Sequence, residues 1–379
     1  MKVEQSKWTK TKGWEPTPLW ELSNSAQLVL LFGSTSLFKD RKRIELVREV
    51  YPNSRIFGCS TAGEICGTEV SDDSIVVTAV NFEYTKIDAA YTKLSRIEDS
   101  FWAGETLAKS LKKDGLRHVF VLSEGIKVNG SELVRGISKH LPEGIAITGG
   151  LSGDGLNFKE TIVLCDGKAE RDAIAALGLY GDHLKIGFGS LGGWDPFGPE
   201  RLITRSKGNI LYEVDNISAL ELYKRYLGDH VNNLPSSALL FPLQLRSTDD
   251  EYGVVRTILG IDESDNSMTF AGDMPEGMYV RLMKANFERL IDGAATAAQS
   301  SYETIGSVTP DLAILISCVG RKLVLKQRIE EEVEGVRDVL GEETVLSGFY
   351  SYGEISPLNP STKCELHNQT MTITTLSER

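Results

Sequence analysis

The chain is poor in cysteine, and its five thiols (Cys59, Cys66, Cys165, Cys318, Cys364) are odd in number and contain no C-x-x-C pair. That pattern excludes a disulfide framework and a tetrahedral zinc site, and predicts reduced thiols. Long apolar runs are missing too. A run such as Leu28 to Phe32 is far too short to cross a bilayer, and the opening MKVEQSKWTKTKGWEPTPLW has no apolar core of the kind a secretory signal carries. The expectation is a cytoplasmic protein with no membrane insertion. Positive charge is scarce: the formal net charge is -12, and the basic cluster Lys39 to Arg43 sits at a predicted helix start. This argues against a nucleic-acid partner, because phosphate backbones need concentrated Lys and Arg. No Walker loop, H-E-x-x-H or Ser-His-Asp signature occurs.

What is present is an ordinary globular composition, 41% apolar and 25% charged, in 379 residues, enough for two domains with cores of their own. The organisation is repetitive. AQLVLLFGSTS reads as the first structured segment, a buried strand ending at Gly33. KDRKRIELVREVYP follows as a helix whose Ile44, Val47 and Tyr51 recur at three and four residues, stopped by Pro52. Then come the strand SRIFG, the segment FGCSTAGEI (Phe57 to Ile65), and strands in DSIVVTAVNF and KIDAAYTKL. The order restarts at RHVFVLSEG, with a helix stripe of Leu133, Ile137 and Leu141 leading to GIAITGGLSGDG, then ETIVLCDG, DAIAALGLYGD and LKIGFGS. It restarts again at LAILISCVGRK, with a helix carrying Leu325, Ile329, Val333, Val336 and Leu340, then SGFYSYGEI (Ser347 to Ile355) and NQTMTITTL. Three copies of one unit are expected, with Gly149, Ser152, Gly153 and Asp154 standing where the first copy has Gly58, Thr61, Gly63 and Glu64.

Between the second and third copies, Ser218 as N-cap, Glu221 as its capping-box partner and Gly228 as C-cap mark a helix. HVNNLPSS reads as a linker. Beyond it come a hairpin around Asp265 and Asn266 and a long helix through ANFERLIDGAATAAQSSYETI. The predicted fold is α/β, with mixed sheets built from repeated β-loop-α-β-β units, in a domain over 26–228 and a second over 229–379, preceded by a lead segment, 1–25.

In each unit the strand, crossover helix and second strand form a parallel pair whose ends share one edge, where open α/β sheets bind ligands. The first strands end in small-residue loops and the second strands in the glycine motif, so the two should face one another. Cys59, Ser60, Thr61, Glu64, Ser152, Asp154, Tyr350, Ser351, Tyr352 and Glu354 then decorate that rim. Two readings stand for Glu64 and Asp154: a ligand contact, or a carboxylate that accepts backbone hydrogen bonds and closes a turn. Tyr350, Tyr352 and Glu354 are expected to line a pocket. Trp194 in GGWDPFGPE is either an aromatic lid or a plug between sheets. Arg321, more than Arg201, is placed to meet a carboxylate.

GCSTAGEI, GGWDPFGPERLITRS and GFYSYGEISP followed by LHNQT resemble the paired FIST N-terminal and FIST C-terminal domains, over roughly residues 26 to 370. The resemblance implies an intracellular sensory module of bacterial signal transduction that binds a small ligand such as an amino acid. It also implies, for some stand-alone members, haem that senses nitric oxide in a two-component system. The partners implied are a sensor histidine kinase or a cyclic-di-GMP enzyme (diguanylate cyclase or phosphodiesterase). No output-like segment lies outside the FIST length, so signalling is expected to act in trans.

Haem iron needs an axial ligand. Of five histidines, His118, His140 and His230 read as ordinary surface residues, which leaves His183, in the turn YGDHLK, and His367, in CELHNQT. His367 is also a candidate ligand-binding residue at the motif edge. An enzyme remains the competing class, with Glu64 and Glu354 as an acid/base pair or Cys59 or Cys318 as a nucleophile. An anionic ligand is favoured over haem, because no histidine stands out.

Overall fold

The computed structural model describes residues 1–379 apart from 17–19, 235, 248–252 and 359–361. Three times, a buried strand runs into a helical connection and returns as a parallel neighbour: Leu28–Gly33 with Arg55–Ser60, Leu116–Ser123 with Ala146–Leu151, and Leu312–Cys318 with Val345–Ser351. These are the three expected units. Their connections carry the helices Lys42–Val50, Gly130–Ser138 and Ile329–Leu340, and the apolar stripes Ile44 and Val47, Leu133 and Ile137, and Val333 and Val336 are buried. A third strand lies antiparallel beside each first strand: Ile75–Asn81, Ala173–Tyr180 and Met371–Glu378.

No unit completes its own sheet. The strand that follows each motif crosses to a different unit, so Glu64–Cys66 pairs with Val345–Ser351, Gly353–Pro357 with Ala146–Leu151, and Val163–Cys165 with Arg55–Ser60. The exchange is cyclic. Outer strands are displaced too, in the opposite sense: Lys86–Lys93 of the first unit joins the second unit's sheet and Leu184–Leu191 of the second joins the third's. The inner faces of all three sheets share one apolar core that includes Leu30, Phe32, Phe120, Leu177, Ile314 and Phe349. The outer faces are covered by the helices.

The lead segment is part of this scaffold, contrary to the expectation that structure begins at Ala26. Lys2–Thr9 pairs in register with Ile75–Asn81 and takes the outer position in the first sheet that the displaced strands take in the other two. Its polar sequence hid it. Gln5 donates to Thr78 Oγ1 and to the carbonyl of Leu346, at 3.2 and 2.9 Å, and Lys7 pairs with Glu69, so these side chains are satisfied by neighbours distant in sequence.

Between the second and third units, residues 195–284 fold as an antiparallel sheet packed by the helix Ala219–Leu227, around a core running from Ile203 to Leu282. Ser218 caps that helix by accepting from the Glu221 amide at 3.2 Å, and Asn266 turns the expected hairpin in the left-handed region. The division placed near residue 228 passes through this inserted unit, whose core draws on both sides of it. HVNNLPSS is short helical turn rather than open linker over its described residues, Gly228–Asn233 and Ser236–Leu240.

One steric constraint recurs in all three parallel pairs. Gly58, Gly149 and Gly348 sit directly opposite Leu31, Val121 and Leu315, and a Cβ on any of them would lie 1.9 Å from that residue's carbonyl oxygen. Only glycine allows that approach. Gly348→Ala is expected to cost about 3 kcal/mol or more, since the atom met is backbone and cannot rotate away. Gly260→Ala, where a Cβ meets nothing within 4 Å, should leave the denaturant midpoint almost unchanged.

Candidate functional site

The exchange of strands brings the three motif corners together. Gly153 N donates to Ser60 O at 2.9 Å, and Ser60 Oγ returns a bond to Gly153 O at 2.7 Å. Ala62 N donates to Tyr350 O, and Tyr350 N to Gly63 O, each at 2.8 Å. Tyr352 reaches from the third unit into the second, where its hydroxyl donates to Asp154 and accepts from the Asp154 amide at 3.1 Å, while its ring stacks on Phe158 at 4.3 Å. Lys322 joins the third unit to the first, with Nζ donating to Ala62 O at 2.9 Å and pairing with Asp72. The facing of first-strand loops and motifs is as expected: Ser152 N donates to Ser123 O at 2.7 Å, and Gly125 N to Thr161 Oγ1 at 2.9 Å.

At this junction Glu64 and Glu354 occupy the same structural position, and both are buried. Glu64 accepts from Thr61 Oγ1 three residues back, and from Ser74 N and Oγ at 3.1 and 2.7 Å. Glu354 accepts from Ser351 Oγ at 2.5 Å, also three residues back, and from Thr370 N and Oγ1 at 3.2 and 2.9 Å. Burial opposes ionisation more strongly than these donors favour it, so the pKa rises to about 7 for Glu64 and about 8 for Glu354.

The second unit departs from this arrangement. Pairing register puts Val163, not Asp154, at the position of Glu64 and Glu354, since Val163 faces Cys59 as Glu64 faces Phe349 and Glu354 faces Gly150. Ten residues separate Ser152 from Val163 where two separate Thr61 from Glu64, and this longer loop displaced the equivalence read from the sequence. The hydroxyl partner is also gone, for Ala173 stands where Ser74 and Thr370 stand. Asp154 instead closes the longer loop, accepting from the amides of Phe158, Lys159 and Glu160 at 2.8, 2.9 and 2.9 Å. That is the turn-closing role weighed for it.

Of the other expected site residues, Ser152 donates to Ser123 O at 2.7 Å, and Cys59 sits inside the central apolar core. Tyr350 is buried, with its hydroxyl on Glu332 at 2.6 Å. Arg321 is not free to meet a ligand. It is wholly buried, with Nε and Nη2 on Glu332 at 2.9 and 2.7 Å, Nη2 also on Leu290 O at 2.7 Å, and Nη1 on Gly192 O. Trp194 is a plug: it packs with Met283, Leu290, Val324 and Leu325 and donates Nε1 to Gln369 O at 3.0 Å. Tyr350, Tyr352 and Glu354 line neither of two cavities found among the described residues. One lies deep in the central core beside His118, the other in the inserted unit.

Burial pushes the Cys59 and Cys318 thiols well above the ordinary thiol range, so neither supplies a thiolate nucleophile near neutral pH. The histidines do not fit haem. His183 is exposed at the edge opposite the motif and stacks on Tyr84 at 4.4 Å. His367 is buried beside the motif, but its Nε2 is bonded to Ser356 O at 2.8 Å, burial lowers its pKa to about 4, and neither cavity reaches it. His118, read as a surface residue, is instead fully buried, with Nε2 on Thr148 at 2.8 Å. Among the described residues no group of three or more His, Cys, Asp and Glu can hold a metal ion, and no helix is long and apolar enough to cross a membrane.

Sequence reasoning missed Ser74, Thr370, Lys322 and Glu332. A signal existed for the first two, since each is the last residue before its unit's third strand. Glu332 carried none, being one of a run of three glutamates on a helix.

The FIST N domain family matches residues 27–217 and the FIST C domain family residues 219–357. The chain belongs to the FIST family. FIST domains are associated with sensing in signal transduction. An uncharacterised protein of Methanocaldococcus jannaschii is 23% identical over 368 residues, covering 86% of this chain and 69% of that one. A cyanuric acid hydrolase from A. caulinodans aligns over 100% of this chain and 99% of its own at 7% identity, with a TM-score of 0.38, too weak a likeness to bear on activity. The two FIST matches meet at residue 218, inside the inserted unit.

Two measurements follow from the junction. Glu64 and Glu354 bind protons more tightly folded than unfolded, so their contribution to stability is full below about pH 4.5 and is lost as pH rises through about 7 and 8. Glu354→Gln should flatten part of the fall in melting temperature between pH 5 and pH 8, about the window set by these acidities. Arg321→Met should cost about 3–5 kcal/mol in chemical denaturation by stranding Glu332, and Arg321→Met with Glu332→Leu should recover much of that loss.

Proposed function

We propose that this FIST protein is a cytoplasmic small-ligand sensor that binds an anionic small molecule and acts on a partner in trans. The observation that carries the reading is the junction itself. Three corners from three exchanged units meet there on two buried carboxyl groups with acidities near neutrality. A displacement at one corner moves a strand that completes another unit's sheet, so the scaffold is suited to two arrangements whose balance a ligand shifts by binding one more tightly. An amino acid is the ligand class the family resemblance implies. A histidine kinase or a cyclic-di-GMP enzyme is the partner class.

The junction residues satisfy one another, so a ligand contacting Ser60, Thr61, Ser351 or Glu354 must open that packing. Such opening is the conformational change a sensor needs. The experiment is native mass spectrometry of the chain taken directly from cells, followed by thermal-shift titration with amino acids and other small carboxylates. A bound small molecule, released on denaturation and stabilising when added back, is expected. Absence of any retained molecule together with no stabilisation across the set would sink the sensory reading.

A further inference from the structure

The helices on the outside of the second and third units form two equivalent pairs. In each, the crossover helix lies against the helix that precedes the unit's first strand: Gly130–Ser138 against Ser100–Ser110, and Ile329–Leu340 against Phe287–Thr304. A glycine marks the crossing in both. A Cβ on Gly136 would meet the carbonyl oxygen of Phe101 at 2.1 Å and the amide nitrogen of Glu105 at 3.1 Å, and one on Gly335 would meet Ala295 at 3.7 Å and Ile291 at 4.0 Å. Aligned at these glycines, the two pairs present outward residues of opposite character. Arg135 and Lys139, one residue before and three after Gly136, become Glu334 and Asp338 around Gly335, and Trp102, next to Phe101, becomes Asp292, next to Ile291. All six are exposed.

On the second unit Trp102 leaves 65% of its surface in water, more than any other large apolar side chain among the described residues. Beside it, Arg135 Cζ and Lys139 Nζ lie 5.3 and 5.1 Å from the centre of the Phe101 ring. The side chains of Lys109, Arg135 and Lys139 are each more than half exposed, whereas the carboxylates paired with them, Glu105 and Glu132, are exposed to only 15% and 23%. An approaching molecule therefore meets cations around an indole, on a chain whose net charge is -12. The third unit offers the converse. Asp292, Glu334 and Asp338 form no ion pair among the described residues, and the cations of the same helices are engaged elsewhere: Arg337 donates to the carbonyls of Gly341 and Thr344 at 2.8 and 2.6 Å, Arg289 pairs with Asp195 and Arg328 with Glu331. Half-buried Ala295 and Gly335 leave a floor of small residues between the two helices.

We propose that these two faces bind one another between copies of this chain, with Trp102 of one copy seated over Ala295 and Gly335 of the next, and Arg135 and Lys139 meeting Glu334 and Asp338. An exposed Trp ringed by cations is the kind of anchor that dominates protein interfaces, and opposite charge across the contact selects the partner while like charge keeps either face from pairing with itself. The contact is heterologous. Each copy carries one face of each kind, so assembly runs head to tail and grows past a dimer until it closes on itself. Exposed ion pairs add little energy, which places the contact among the weak, concentration-dependent ones.

The test is sedimentation velocity of the full chain at concentrations up to about 100 μM. Species larger than a dimer should appear, their share rising with concentration. Arg135→Glu with Lys139→Glu should weaken association about tenfold or more, and so should Glu334→Lys with Asp338→Lys. Mixed in equal amounts, the two variants should assemble again, because each reversed face then meets its opposite, a recovery that damage to the fold would not give. Trp102→Ala removes the anchor without touching an ion pair and should by itself weaken association about tenfold. A wild-type chain that stays monomeric throughout, assembly undiminished in both reversed variants, or a mixture that stays monomeric while circular dichroism shows both variants folded would each overturn the proposal. Should a reversal unfold the chain, Trp102→Ala decides, and assembly undiminished in that variant overturns the proposal as well.

Discussion

The close approach of two parallel strands at a glycine is the constraint on which the rest of the structure depends. It occurs once in each unit, at Gly58, Gly149 and Gly348, always against a backbone carbonyl. In every unit the strand after the motif leaves for a neighbour. The corners therefore meet because the strands are exchanged. Hydrogen bonds between the corners are largely backbone to backbone, which explains how their side chains differ so widely, from Thr61 and Ala62 in one unit to Ser351 and Tyr352 in another.

Within that shared frame the buried acids obey a pairwise logic. Where a unit keeps the glutamate it keeps two hydroxyl residues, Thr61 and Ser74 for Glu64, Ser351 and Thr370 for Glu354. Where the glutamate becomes Val163, the downstream hydroxyl becomes Ala173. A buried carboxyl without donors, or a buried hydroxyl without an acceptor, is costly, whereas replacing both by apolar groups is nearly neutral. The same rule governs Arg321, whose burial is tolerable because Glu332 and two carbonyls meet its donors.

Much of this was legible in the sequence. The three units, their helices, the capped helix at Ser218 and the meeting of loop and motif all followed from periodicity and from turn residues, which are local signals. The failures had one cause in common, partners supplied from far along the chain. Lys2–Thr9 looked too polar for a strand because Leu346 and Glu69, which satisfy it, are remote in sequence. Asp154 stood in for Glu64 in a motif one residue shorter, while the register that separates them is set by pairing with Arg55–Ser60. Arg321 looked exposed beyond a strand-end glycine, and only the fold brings the remote carbonyls of Gly192 and Leu290 onto it beside Glu332. His118, at the start of a strand, gave no hint that three sheets would enclose it.

The cyclic exchange also bears on how the chain is made. Glu64–Cys66 emerges early in synthesis, but the strand it pairs with, Val345–Ser351, emerges almost 300 residues later. For most of translation the first unit carries an unpaired strand and a sheet without its cover, the kind of exposed edge that invites wrong partners. The nascent polypeptide thus depends on residues made long after this strand, and on whatever shields it until they arrive.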